Sequence, residues 1–393
     1  MRVQTGLDRL ATDVELQKRV HGRKTGLLAH PASVAADYRH ALSIIEPLVD
    51  LQVVFGPEHG YAGTAQDMIG VDGESAAGHR VVSLYGETAA DLSPKTSDLE
   101  GLDLIIVDLQ DVGARFYTYV WTTAFVLRVA ARMGIEVMVL DRPNPLGGEV
   151  TEGAPQGPAY RSFVGLYPVP VRHALTIGEL MKMVVEFEKL DPACLSVVEM
   201  MGWERKMLFA DTGLPWVLTS PNMATTDTAT VYPGGCIIEG TTLSEGRGTT
   251  RPFEIFGAPG VDGVALARDL ETPGAVLRPL TFEPTVRKFA GELCGGVQVH
   301  VTNPHLFRSV SLYYRLIAAM MVQRGHREPW RTEVYEYDFR RPAIDLLTGA
   351  PAYRQLVNRM LNDQQPLEAI EDYLQDDETK RSAFDGSRFH LYG

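Results

Sequence analysis

Four short apolar runs in the first 150 residues each stop at a polar turn, and this recurrence constrains the fold more than any other feature of the chain. Lys24 to His30 stops at Pro31, and Leu51 to Phe55 stops at Gly-Pro-Glu-His-Gly60. Leu102 to Leu109 stops at Gln110-Asp-Val-Gly113, and Ile135 to Leu140 stops at Asp141-Arg-Pro-Asn-Pro145. Helical patterns lie between them. Tyr38 to Leu48 carries apolar residues at helical spacing, and Tyr119 to Met133 does the same before Gly134 ends it. Short apolar strands alternating with helices predict a parallel sheet covered on both faces. All the strand ends then share one edge, where open α/β sheets bind ligands. That edge gathers His30, Glu58, His59, Gln110, Asp111, Asp141 and Asn144.

Glu58 is the first candidate for chemistry among these. A Gly-Pro turn holds it at the edge, with an imidazole, His59, beside it. A turn acid is commonly structural, but here it coincides with three other polar strand ends. His30 reads as a structural histidine. In Gln110 to Tyr119 an arginine, Arg115, stands among aromatics, which suits sugar binding: Tyr117 and Tyr119 can pack against a ring or bond its hydroxyls.

At 393 residues two domains are the default. The expected division is 1–155, a Rossmann-like unit, and 156–393, a smaller α+β unit. Asp141 to Tyr167 reads as a long functional loop leaving the first unit. Thr176-Ile-Gly-Glu179 is a capping box that opens the second, with an amphipathic helix to about Leu190. Strands are predicted near Leu195–Glu199, Cys236–Glu239 and Gly295–Val301. Helices are predicted over 261–270, 304–323, 343–349, 353–361 and 366–375. The stretch Glu239 to Pro252 is Gly-rich and polar, and its Arg247 and Arg251 offer forks for a carboxylate. A cleft between this loop and the strand-end edge is the expected pocket.

The net charge of −13 argues against a nucleic-acid surface. Three widely spaced cysteines, Cys194, Cys236 and Cys294, make neither a disulfide framework nor a metal spacing. The N-terminus shows no signal-peptide pattern, so the sequence as it stands reads as cytoplasmic, or as exported if a leader has been removed. No apolar run is long enough to span a membrane. G-x-G-x-x-G after the first strand, the P-loop, the G-x-S-x-G elbow and H-E-x-x-H are all missing. No cofactor and no metal are therefore expected, although His59, Asp111 and Asp141 keep a metal site conceivable. The oligomeric state is not legible.

Long segments resemble the DUF1343 family, which includes the NamZ-type exo-β-N-acetylmuramidases. They are Phe55 to Gly60, Asp108 to Tyr119, Leu140 to Gly148, Arg161 to His173, Ser220 to Met223, Glu239 to Phe253 and Ala290 to Gln298. The resemblance runs in order from about Gly6 to the C-terminus. One departure is Thr241-Thr242, where Thr-Asn is common. The resemblance implies an α/β fold, with a Rossmann-like N-terminal domain, a smaller C-terminal domain and a cleft between them without a nucleotide. It implies release of N-acetylmuramic acid from the non-reducing ends of peptidoglycan fragments, and it makes Glu58 the leading catalytic residue.

Glycoside hydrolysis generally uses two carboxyl groups. Beside Glu58, the candidates for the second are Glu245, Asp111 and Glu152, in that order. The lactyl carboxylate of muramic acid calls for an arginine, with Arg115, Arg247 and Arg251 as candidates. His59, Gln110, Asn144 and Asn222 complete the expected substrate contacts. A non-catalytic muropeptide-binding protein and a metal-dependent hydrolase are the rival readings.

Overall fold

The computed structural model describes residues 2–66, 69, 75–325, 329–363 and 366–393. Seven strands form its main sheet: β1 (Lys24–Ala29), β2 (Asp50–Gly56), β3 (Ser75–Ala76), β4 (His79–Ser83), β5 (Leu104–Asp108), β6 (Glu136–Leu140) and β7 (Leu195–Val198). Their order is β3-β4-β2-β1-β5-β6-β7. Every neighbouring pair is parallel except β3–β4.

Alternate residues of these strands feed two separate cores, because side chains leave a strand on opposite faces in turn. Leu28, Phe55, Ile105, Val107 and Val139 pack with helices Tyr119–Arg132 and Ile177–Glu188 on one face. Leu27, Val54, Ile106 and Met138 pack with helices Gly6–Thr12 and Ala41–Ile45 on the other. With both faces covered, β5 is buried throughout, which is why it reads as a continuous apolar run. Burying each such side chain is worth about 1.5–3 kcal/mol.

The second sheet has β8 (Ile255–Ala258), β9 (Ala275–Phe282) and β10 (Cys294–Val301) in the antiparallel order β8-β10-β9. Tyr313 of helix Ser309–Arg324 stacks on Phe256 of this sheet. One apolar cluster runs unbroken from the face of the main sheet through Leu316 and Ile317 of that helix, so the two sheets share a core.

The capping box at Thr176 forms as expected, with Thr176 and Glu179 bonded reciprocally. Its helix and the following strand do not open a second unit, however. β7 adds in parallel to β6 and closes the edge of the main sheet. The strand expected at Cys236–Glu239 is instead a 3-10 turn, Cys236–Gly240, continuing helix Thr226–Gly235. Periodicity does not separate a short buried helix from a strand. Space decides here: a Cβ on Gly240 would meet the backbone of Ile344 at 2.7 Å, so helix Ala343–Thr348 packs directly against that turn. The expected helix from Tyr38 shortens to Ala41–Ile45, capped by His40, with a 3-10 turn at Glu46–Leu48. The loop from Asp141 to Tyr167 carries one 3-10 turn, Pro158–Tyr160.

Candidate active site

The carboxyl end of β2 turns sharply. Gly60 N–H donates to Pro57 O at 3.0 Å, and His59 sits at φ +71°, a conformation that non-glycine residues seldom adopt. Gly56 is required there, because a Cβ would meet the amide nitrogen of Tyr61 at 2.6 Å. His59 is anchored by its Nδ1–H, which donates to Ala65 O at 2.9 Å. The turn leaves Glu58 buried and facing a narrow recess. Thr118 Oγ1 donates to Glu58 Oε2 at 2.5 Å and fixes the orientation of the carboxyl group.

Aromatic side chains build one wall. Phe116, Tyr117 and Tyr119 precede or begin helix Tyr119–Arg132; Tyr232 meets Phe116 and Tyr117 edge to face, and Phe253 meets Tyr232 the same way. The hydroxyls of Tyr117 and Tyr119 are both spent on Thr219, at 2.6 Å to its Oγ1 and 2.6 Å to its carbonyl. These tyrosines therefore present rings to the recess, while their hydroxyls hold the loop that carries Ser220, Asn222 and Met223. Asn222 also donates to Gln66 Oε1 at 2.9 Å.

The rest of the lining includes Glu239, Arg247, Tyr335 and Glu336. Arg247 stacks 5.2 Å above the Phe253 ring and donates through Nη2 to Glu239 Oε1 at 2.6 Å. Tyr335 Oη donates to Glu239 Oε2 at 2.8 Å. Next to it, Glu336 accepts from Tyr85 Oη at 3.0 Å. Burial raises the Tyr85 hydroxyl well above its ordinary range, and the nearby charges of Glu58 and Glu336 raise it further. Glu58, Glu239 and Glu336 are thus the carboxylates that line this recess among the described residues.

Several sequence candidates lie elsewhere. Arg115 is fully buried and donates to the carbonyls of Ala154, Val169 and Leu347 at 2.7–3.0 Å, tying the long loop to the C-terminal helices. Gln110 bonds Asp111 O and Pro143 O, and Asn144 bonds Leu175 O and Leu146 N. Asp111 accepts from Gly113 N and lies 3.3 Å from His173. Glu152 pairs with Arg172 at 3.0 Å and accepts from Val310 N, at the start of helix Ser309–Arg324. Arg251 is half exposed beside Glu254 at 3.4 Å.

Glu245 faces a different recess, with Lys288 Nζ 2.9 Å from its Oε2 and Arg247 Nε 3.4 Å from its Oε1. Burial pushes its carboxyl up, but Lys288 and Arg247 outweigh that and hold it below the usual range. Of the expected residues, the recess collects Glu58, His59, Tyr117, Tyr119, Asn222 and Arg247.

The remaining strand ends are structural. His30 Nε2 accepts Gln110 N–H at 3.0 Å, and burial, with Arg142 nearby, lowers its pKa to about 3, so the ring stays neutral. Asp141 accepts from Thr176, Gly178 and Tyr392 at 2.6–2.9 Å, and burial raises its carboxyl to about 6. No group of three His, Cys, Asp or Glu side chains is placed to hold a metal ion among the described residues. No helix among them is long and apolar enough to cross a membrane.

Sequence reasoning missed Thr118, Tyr85, Glu239 and Glu336. Thr118 and Glu239 lie inside quoted motifs, so motif membership was their only signal. Tyr85 and Glu336 lie outside every motif.

Residues 25–227 match the family model described as exo-β-N-acetylmuramidase NamZ, N-terminal, and residues 230–392 match its C-terminal counterpart. The chain is 45% identical over 316 residues to the peptidoglycan β-N-acetylmuramidase NamZ of Bacillus subtilis (strain 168), covering 79% of this chain and 75% of that protein. A DUF1343 family protein of Bacteroides fragilis superposes with a TM-score of 0.86 at 30% identity, over 100% of this chain and 99% of the other. A second one, at 24% identity and a TM-score of 0.68 over the same shares, adds support for the fold alone.

Proposed function

Because the chain belongs to the NamZ exo-β-N-acetylmuramidase family, we propose that it is an exo-acting glycoside hydrolase releasing N-acetylmuramic acid from the non-reducing ends of peptidoglycan fragments during cell-wall turnover. The observation that carries the reading is Glu58, held by Thr118 on a constrained turn and facing a recess walled by aromatic rings. Glu58 gives its proton to the glycosidic oxygen as the C1–O bond breaks, so the leaving sugar departs neutral. Thr118 aims the carboxyl group, and the aromatic wall receives the apolar face of the ring. Arg247, which lines the same recess beside Glu239, is our candidate partner for the lactyl carboxylate that separates muramic acid from N-acetylglucosamine.

The test is turnover of a chromogenic N-acetylmuraminide and of the matching glucosaminide. Glu58→Gln nearly preserves shape while deleting the transferable proton. It should lower kcat by about 10²–10⁴-fold at an unchanged melting temperature. Near-normal turnover in that variant would remove Glu58 from the mechanism. Arg247→Ala should cut the preference for the muraminide by about one to two decades, the worth of a charge-assisted fork of roughly 1.5–3 kcal/mol. Equal wild-type rates on the two sugars would refute recognition of the carboxylate.

A further inference from the structure

The turn Tyr335-Glu-Tyr-Asp338 breaks local rules in a way its sequence does not announce. Tyr335 and Asp338 pair as an isolated bridge, and Asp338 N–H donates to Tyr335 O at 2.9 Å. The two central residues, Glu336 and Tyr337, have φ of +45° and +63°. That is the geometry of a tight turn normally made by Asn-Gly. Here it carries two bulky residues with no glycine. Left-handed conformations of this kind are strained for such residues and persist only where the surroundings over-determine them.

Three tyrosine hydroxyls do so. Tyr335 donates to Glu239 at 2.8 Å, Tyr337 donates to Gly86 O at 2.7 Å, and Tyr85 donates to Glu336 itself at 3.0 Å. The rings of Tyr85, Phe163 and Tyr337 pack together within 5.5–6.3 Å and bury the turn. The product of this strain is one buried carboxylate on the wall of the recess that Glu58 also lines. Glu239, the other carboxylate there, is bonded to both Arg247 and Tyr335 through its two oxygens.

Resting on the muramidase reading above, we propose that Glu336 is the second catalytic carboxylate, the base that activates the attacking water, and that Tyr85 positions it. In the step, an O–H bond of water breaks and its proton passes to Glu336, while the water oxygen bonds to C1 of the sugar. The C1–O bond to the leaving sugar breaks with its electron pair on oxygen, and that oxygen takes the proton of Glu58. Exchange with solvent then deprotonates Glu336 and reprotonates Glu58. No other reactant is required.

The experiment compares wild type, Glu336→Gln and Tyr85→Phe on the chromogenic muraminide, with and without added azide. Glutamine keeps an oxygen for the Tyr85 hydroxyl and leaves the turn's backbone unchanged. The expected result is a kcat lower by about 10²–10⁴-fold, an unchanged melting temperature, and partial recovery with azide as a glycosyl azide product. A purely structural glutamate would not respond to a small nucleophile.

Tyr85→Phe should lower kcat about tenfold and leave KM in place, and it carries the test if Glu336→Gln does not fold. Turnover of Glu336→Gln within a few-fold of wild type, a loss that azide does not restore, or an unaltered kcat in Tyr85→Phe would overturn the assignment. A wild type inactive on the muraminide would overturn the parent reading, and this one with it. An active wild type indifferent to Glu336 overturns this one alone.

Discussion

Two turns line the recess, and they are built differently. The turn at Glu58 ends a parallel strand, and its chain punctuates itself: glycine where only glycine fits, proline to stop the strand, glycine again to close it. The turn at Glu336 has no such residues. Its left-handed backbone is imposed by hydroxyls and rings, one of them 251 positions away in the chain. The first turn is local chemistry that happens to carry a carboxylate. The second is a carboxylate held in place by the rest of the molecule. A local device can be read from five residues, whereas an imposed one cannot be read before the fold exists.

The comparison breaks first at Gly56. If the Glu58 turn is set by its glycine, Gly56→Ala should cost about 3 kcal/mol, the upper range for overpacking, because its Cβ would sit 2.6 Å from a backbone nitrogen. Activity should fall with it, since the same shift moves Glu58. Denaturant melts and turnover measured side by side check both effects. A variant as stable and as active as wild type would show that the turn tolerates a side chain and is not self-determined.

A third strand end, Asp141, sharpens the contrast because from sequence it looked like Glu58. It is a buried structural acid with its carboxyl raised from 3.8 to about 6. A raised folded-state value means that its stabilising contribution is fully present below about pH 4 and is lost as pH climbs through 6. At about 1.4 kcal/mol per pKa unit the loss is of the order of 3 kcal/mol by neutral pH. Asp141→Asn should therefore flatten the fall in melting temperature between pH 4 and 7, while the pH profile of kcat keeps its shape. A changed kcat profile would return Asp141 to the active site.

The smallest effect is expected at Thr118, the counterpart for Glu58 of what Tyr85 is for Glu336. Thr118→Val keeps the shape and deletes the 2.5 Å hydrogen bond to the carboxyl group. A bond of that class is worth about 1.5 kcal/mol, so kcat should drop roughly tenfold with little change in stability. An unaltered kcat would show that the backbone turn alone aims Glu58.

Much of the architecture was legible because parallel strands buried on both faces must be short apolar runs, and the four expected runs are β1, β2, β5 and β6. Helices Tyr119–Arg132, Ile177–Glu188 and Ser309–Arg324 were legible from periodicity and caps. Charged residues were the weak point. Arg115, Asp111, Glu152 and Glu245 carry the right groups for a sugar site, but each is matched to a partner inside the protein: backbone carbonyls, His173, Arg172 and Lys288 respectively. Sequence shows a charge without showing who neutralises it.

The amino-acid sequence by itself determined the parallel sheet, the edge where its strands end, and the Gly-Pro turn that puts Glu58 there. Those follow from local sterics and from the period of apolar residues, which act within a few positions. Only the tertiary structure decided which polar strand ends open onto a recess and which are locked into the scaffold. It alone placed Tyr85 against Glu336 and drew the walls of one site from residues 58 to 336. Contacts over such separations form only once the shared core has closed, so no window of sequence contains them.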